Sequence, residues 1–277
     1  MADRRRAGAG RLLTHLILLA GAAVMVFPFV WQFLTSLKTL SESTSAPPTL
    51  LPRHWRWDNY ATFFDLMPVM SMTANSVMTL VLRVAGQLLF ASLAAFVFAR
   101  LRFRFRKPLL SAFLIVLMVP PQLFVIPQYE VIRQAGLLNT VPALALPGIF
   151  SAFGVFLLYQ FMRTIPAEVD EAARLDGANP FQIYLRIVLP MCRPALAALT
   201  IMTALFSWND LLWPLIVNTR PDMMTLPVGL ATLHGVTMTD YPVLMAGSLL
   251  AILPMVLCFV LLQRQFIQGI AMSGSKG

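Results

Sequence analysis

Side chains able to carry chemistry are few in this 277-residue sequence, and most are scattered. The three histidines, His15, His54 and His234, fall in one apolar run and two polar connections, so they do not converge on a nucleophile or a metal. Cys192 and Cys258 lack ligand spacing and are expected to be packing residues. A glycine-rich phosphate loop ending in Lys and Ser or Thr is missing, so the chain is not expected to bind nucleotide. No catalytic residue, metal site or resident cofactor is therefore predicted. Two patterns remain. The first is a spaced set of acidic and small residues, Glu171-Ala172-Ala173 followed by Asp176-Gly177. The second is a pair of charges, Arg83 and Asp210, inside otherwise apolar runs, where an ionisable group is costly and calls for a functional hypothesis. Arg83 either faces a water-filled cavity or snorkels outward. Asp210, beside Trp208 and Asn209, either forms a polar patch in a substrate pathway or makes a structural hydrogen bond. Gln122, next to Pro120-Pro121, is a further pathway candidate.

The elements that must position these residues are apolar. With 58% hydrophobic and 12% charged residues, the chain carries more apolar surface than a water-soluble fold of its length can hide. Six runs reach the roughly 20 residues a membrane-crossing helix needs: 12–37, 77–99, 109–129, 141–162, 194–217 and 241–263. Arg4, Arg5 and Arg6 ahead of the first run resemble the start of a signal peptide, but the apolar stretch continues through Trp31 and Phe33, which favours an uncleaved span. Most of the 21 lysines and arginines fall in the tails and in the connections 100–108, 163–193 and 264–277. That bias puts both termini in the cytoplasm. The basic residues are dispersed between apolar runs, which argues against a nucleic-acid partner despite a net charge of +9. Prolines at 28, 120, 121, 127, 147, 214 and 254 are expected to bend their helices. Trp31, Trp55 and Trp57 are expected at the outer membrane boundary, leaving Trp208 as the tryptophan able to stack on a sugar ring.

Residues 163–193 form the longest cytoplasmic connection and read as a helical hairpin. Pro166 opens a first helix whose amino-terminal turn holds Glu168, Asp170 and Glu171; Gly177 ends it. Asn179-Pro180 starts a second helix, predicted to close at Leu189-Pro190. Glu171-Ala172-Ala173, Asp176-Gly177 and Ile187-Val188-Leu189-Pro190 together resemble the EAA loop of ATP-binding-cassette importer permeases. Asn75-Ser76, the stretch Ala99 to Phe103, Trp208-Asn209-Asp210 and Leu212-Trp213-Pro214 resemble the second permease subunit of the maltose and glycerol-3-phosphate type. The ending, Gly269 with Ser275-Lys276-Gly277, fits that type approximately.

The resemblance implies an all-α integral membrane bundle of about six spans with type I importer architecture. A cytoplasmic tail at 1–11, a transmembrane domain over 12–266 and a tail over 267–277 follow from it and from the runs above. It further implies that the loop 166–190 couples to ATPase subunits through Glu171, Ala172, Ala173, Asp176 and Gly177, so that replacing Glu171 uncouples transport from hydrolysis. Implied partners are a second permease subunit, two ATPase subunits carrying ATP and Mg, and an extracytoplasmic solute-binding protein docking on 38–67 and 218–240. A carbohydrate or glycerol-phosphate-like solute is the implied cargo. An importer for amino acids or peptides, an ion-coupled secondary transporter and a membrane enzyme or scaffold are the competing readings.

Overall fold

Apolar runs that exclude water must pair every backbone N–H and C=O within the segment, and helices are the way a single chain does so. The computed structural model describes the backbone over residues 2–233 and 239–274, and side chains over 13–233, 239–257 and 259–260. His234 and the ending Ser275-Lys276-Gly277 lie outside the described residues, as do the side chains of Arg4, Arg5, Arg6 and Cys258. The described residues are helical with no strand. They fall into two units, Met1–Met67 with Leu230–Ile252, and Pro68–Gly229 with Leu253–Gly277.

In the first unit, α1 (Ala2–Ser36) runs through Pro28 and carries an exposed apolar surface. Thr39 and Glu42 form a reciprocal cap on α2 (Leu40–Ser43). Asn59 of α3 (Asp58–Leu66) donates to the carbonyls of Ser36 and Lys38 at 2.8 and 2.9 Å. Lys38 is buried, its ammonium on the Thr49 carbonyl and 4.8 Å above the Trp31 ring. Trp55 and Trp57 are exposed.

The second unit is organised by α4 (Val69–Arg100), which starts well before the run at 77–99 because Pro68 sets its first turn. The run 109–129 is not one helix. It divides into α5 (Arg106–Val116), a 3-10 turn Pro121–Phe124 and α6 (Val125–Gln134), and the chain turns by 96°. Two adjacent prolines without N–H donors, Pro120 and Pro121, account for the break. A milder 42° bend separates α7 (Val141–Ile149) from α8 (Ala152–Met162), where Ser151 caps the new amino terminus. α9 (Ala167–Leu175) and α10 (Pro180–Ile183) form the hairpin, which continues as a π turn, Tyr184–Val188, into α11 (Leu189–Met191). Leu189-Pro190 therefore does not close the second helix: the wider turn absorbs the donor that Pro190 removes, and the chain breaks at Cys192 instead.

The run 194–217 is also interrupted. α12 (Arg193–Trp208) stops at Asn209, and α13 (Leu212–Val217) resumes with Pro214 in its first turn. α14 (Leu226–Thr232) and the long α15 (Tyr241–Gly274), which includes Pro254 and much of the predicted tail, complete the order. Among the described residues, Leu13–Ser36 and Val69–Arg100 are by themselves long and apolar enough to cross a membrane, and three bent pairs raise that to as many as five. Tyr241–Leu257 is a shorter apolar helix.

α4 packs against α7, α8 and α12. At one end, Asn75 donates to the carbonyls of Asp222 and Met224 at 2.9 and 3.1 Å, and Ser76 Oγ accepts from Leu226 N at 2.9 Å. The Asn75-Ser76 pair thus ties α4 to the segment leading into α14.

Candidate functional site

The hairpin is built by local rules that its residues impose. Asn179 and Gln182 exchange side-chain and backbone hydrogen bonds at 2.9 Å each, capping α10, with Pro180 where no donor is needed. Gly177 sits at φ +82°, and the bonds Ala178 N to Ala173 O and Gly177 N to Arg174 O close α9 in a Schellman turn. No atom crowds a Cβ at this position, so the requirement for glycine is conformational.

One face of the hairpin is fixed to the bundle. Ala173, Ile183, Tyr184 and Val188 are buried in a core shared with Phe96 and Leu158. The hydroxyls of Tyr184 and Ser92 lie 2.8 Å apart. Asp170 pairs with Arg100, the last residue of α4, at 3.3 Å, with each side chain 8% exposed. Arg100 also donates to the Ile165 carbonyl at 3.0 Å. Cys192 is buried in the same core, and burial pushes its thiol up to about 11, the behaviour of a packing residue and not of a nucleophile. The opposite face is bare: Glu171, Ala172, Asp176 and Gly177 are exposed, together with Leu175 at 90% and Phe181 at 64%. Of the five residues singled out in this loop, four face outward and Ala173 packs inward.

The second cluster lies where α4 meets α7, α12, α13 and the break at 209–211 between the last two. Pro147 cannot donate to the Ala143 carbonyl four residues earlier, and that carbonyl accepts Trp213 Nε1 at 2.9 Å. Arg83 reaches the next carbonyl, Leu144 O, with Nε at 3.2 Å and Nη2 at 2.6 Å. Its Nη1 pairs with Asp210 Oδ2 at 2.9 Å. Gln87 donates to Gly148 O at 2.8 Å and accepts from Thr203 Oγ1 at 2.7 Å. The loosened end of α7 is therefore held by side chains from α4 and α13.

Arg83 is a buried interior residue and does not snorkel. The structure brings Arg83, Asp210 and Gln122 to one cavity of about 310 Å3, with Gln128 and Trp213. It does not bring Trp208 or Asn209 there. Trp208 is buried, and Asn209 is exposed with its amide on the Leu205 carbonyl at the end of α12. The tryptophan at this cavity is Trp213, which the sequence marked as part of Leu212-Trp213-Pro214 and not as a pathway residue. A second cavity of about 360 Å3 lies against Arg83, Gln87, Thr203 and Ser207. Among the described residues no group of histidine, cysteine or acidic side chains is arranged to hold a metal.

Gly148 lines both cavities, and a Cβ there would lie 2.6 Å from Arg83 Nε. Arg83 is tethered at three atoms and cannot swing aside freely. Gly148→Ala is thus expected to destabilise the protein by about 1–3 kcal/mol through overpacking. A lowered thermal midpoint of the purified protein checks this, and an unchanged midpoint would show that the guanidinium is not locked.

The helical fold, an apolar bundle with a docked hairpin, is that of importer permeases. A bacterial ABC transporter involved in the import of the acidic polysaccharide alginate superposes with a TM-score of 0.77 at 22% identity, covering 91% of this chain and 95% of that one. A description as binding-protein-dependent transport system inner membrane component matches residues 87–271, and the chain belongs to that family. It is a multi-pass membrane protein. The arabinooligosaccharides transport system permease protein AraQ of Halalkalibacterium halodurans is 36% identical over 92% of this chain and 93% of its own. The lactose transport system permease protein LacG of Rhizobium radiobacter is 34% identical over 93% and 94%. The sn-glycerol-3-phosphate transport system permease protein UgpE of Brucella suis is 33% identical over 94% and 95%.

Proposed function

We propose that this chain is one of two permease subunits of an ATP-driven importer and that it conducts a carbohydrate or glycerol-phosphate-like solute. The observation that carries the reading is the hairpin: one face is anchored to the bundle through Asp170 and Arg100, while Glu171, Ala172, Leu175, Asp176 and Phe181 stand free on the other. Such a surface suits docking into a separate ATPase subunit, which would hold ATP and Mg. The excess of arginine in the connections on the hairpin's side supports a cytoplasmic placement for it and for both termini. The cargo follows from the relatives, whose names specify arabinooligosaccharides, lactose and sn-glycerol-3-phosphate. A solute-binding protein on the outer side and a lipid membrane complete the partners.

The test is reconstitution in proteoliposomes with partner permease, ATPases and binding protein. Uptake of one of those solutes is expected to require ATP and every subunit. Uptake by the chain alone, or labelling of the hairpin by a reagent confined to the outer face, would overturn the assignment.

A further inference from the structure

Two cavities share Arg83 and Gly148 as a common wall. Their volumes, about 310 and 360 Å3, fall within the range of small-molecule sites, about 300–1,000 Å3. Among the described residues, Arg83 and Asp210 are the only ionisable side chains lining them. From sequence, an arginine at this depth suggests attraction of a hydroxyl-rich or an anionic solute. The geometry favours the first. Asp210 lies 2.9 Å from Nη1, so the two charges cancel locally. Nε and Nη2 are committed to the Leu144 carbonyl. The arginine side chain is 8% exposed and that of the aspartate 23%, so what a solute meets is chiefly the carboxylate. Paired in this way, the carboxylate still accepts hydrogen bonds from hydroxyls, while the committed guanidinium leaves no donor free to pair with phosphate or uronate.

The remaining lining fits the same chemistry. Gln122 and Gln128 supply amides that both donate and accept. In the adjoining cavity Ser207 Oγ is buried without a hydrogen-bond partner. The exposed rings of Phe124, Phe153 and Phe206 provide apolar walls for the C–H faces of a sugar ring.

We propose that the Arg83–Asp210 pair with Gln122 and Gln128 forms a solute subsite in this chain selective for uncharged, hydroxyl-rich rings over phosphorylated or carboxylated solutes. Asp210 is the acceptor for solute hydroxyls, and Arg83 holds it in place while cancelling its charge. This deepens the importer reading and rests on it: among the solute classes named for the relatives, it selects neutral oligosaccharides and excludes glycerol phosphate.

Equilibrium binding to the purified full importer in lipid nanodiscs, without binding protein, tests the proposal with arabinotriose, sn-glycerol 3-phosphate and digalacturonate as probes. The wild type should bind arabinotriose at least about tenfold more tightly than either anion, the worth of one hydrogen bond to a charged acceptor. Asp210→Asn leaves the arginine's charge unbalanced, so arabinotriose should weaken by about tenfold while digalacturonate strengthens. The double variant Arg83→Gln/Asp210→Asn should lose that gain, because no net charge remains. Gln122→Ala leaves the ion pair intact and should weaken arabinotriose by about threefold or more; it decides the matter if Asp210→Asn fails to assemble.

Equal binding of neutral and anionic probes by the wild type, an unchanged preference in Asp210→Asn, or unaltered arabinotriose binding in Gln122→Ala would overturn the subsite. ATP-driven uptake by the wild type is measured on the same preparation. Uptake without charge selectivity removes the subsite alone, whereas no ATP-driven uptake of any solute removes the importer reading beneath it.

Discussion

Asp170→Ala is expected to release the hairpin from the bundle, raising amide hydrogen exchange across residues 167–191 by about a hundredfold or more. The reason is the charge left behind. Arg100 and Asp170 are each 8% exposed, and deleting one partner strands a guanidinium in a site closed to water. Breaking such a pair costs about 3–5 kcal/mol, whereas replacing both partners by apolar residues of similar volume is close to neutral. The double variant Arg100→Met/Asp170→Leu should therefore recover most of the protection lost in the single one. Glu171 is the adjacent acid but is exposed, so Glu171→Ala should leave exchange near the wild-type level. Wild-type protection in Asp170→Ala would mean that the apolar contacts of Ile183, Tyr184 and Val188 hold the hairpin without the ion pair.

The hairpin was legible because its determinants are local. Pro166, Gly177 and Asn179-Pro180 act on their own turns, and the caps they form need no distant partner. The apolar runs were legible as runs, and prolines marked where several of them bend: the 96° turn after α5 falls at Pro120-Pro121. The size of each break was not legible, because lipid and the interior of a bundle are equally apolar and hydropathy alone does not separate a bent helix from a broken one. The pairing of Arg83 with Asp210 was hidden for a different reason. Each charge was visible as an anomaly, but their meeting depends on how α4 packs against the break between α12 and α13, and no periodicity within one segment encodes that. Arg100 was hidden among its neighbours: in a cluster with Arg102, Arg104 and Arg106 it looked like one more topology signal, and only its place at the end of α4 gives it Asp170.

These pieces share one helix. α4 carries Asn75 and Ser76 on the segment before α14, Arg83 and Gln87 on the end of α7, and Arg100 on the hairpin. The hairpin and the cavity walls thus contact the same helix, and this offers the proposed coupling a contiguous route through α4.

The hairpin's working face is where the second large effect is expected. Sequence directs interest to Glu171 and Asp176, yet both are exposed, and exposed ion pairs contribute about 0–1 kcal/mol. Leu175, 90% exposed, and Phe181, 64% exposed, carry more: fully burying such side chains in a partner's groove contributes about 1.5–3 kcal/mol each. Leu175→Ala should thus weaken retention of the ATPase subunits by about tenfold, and Leu175→Asp by more, since docking would then bury an unpaired carboxylate. Leu175 touches the solvent face alone, so hydrogen exchange in the hairpin should stay at its wild-type level in both variants, which separates lost docking from lost folding. Stimulation of ATP hydrolysis by solute-loaded binding protein should fall in parallel with retention, further than in Glu171→Gln. If Glu171→Gln abolished stimulation while Leu175→Asp kept it, charge and not apolar burial would be what joins the bundle to its motor.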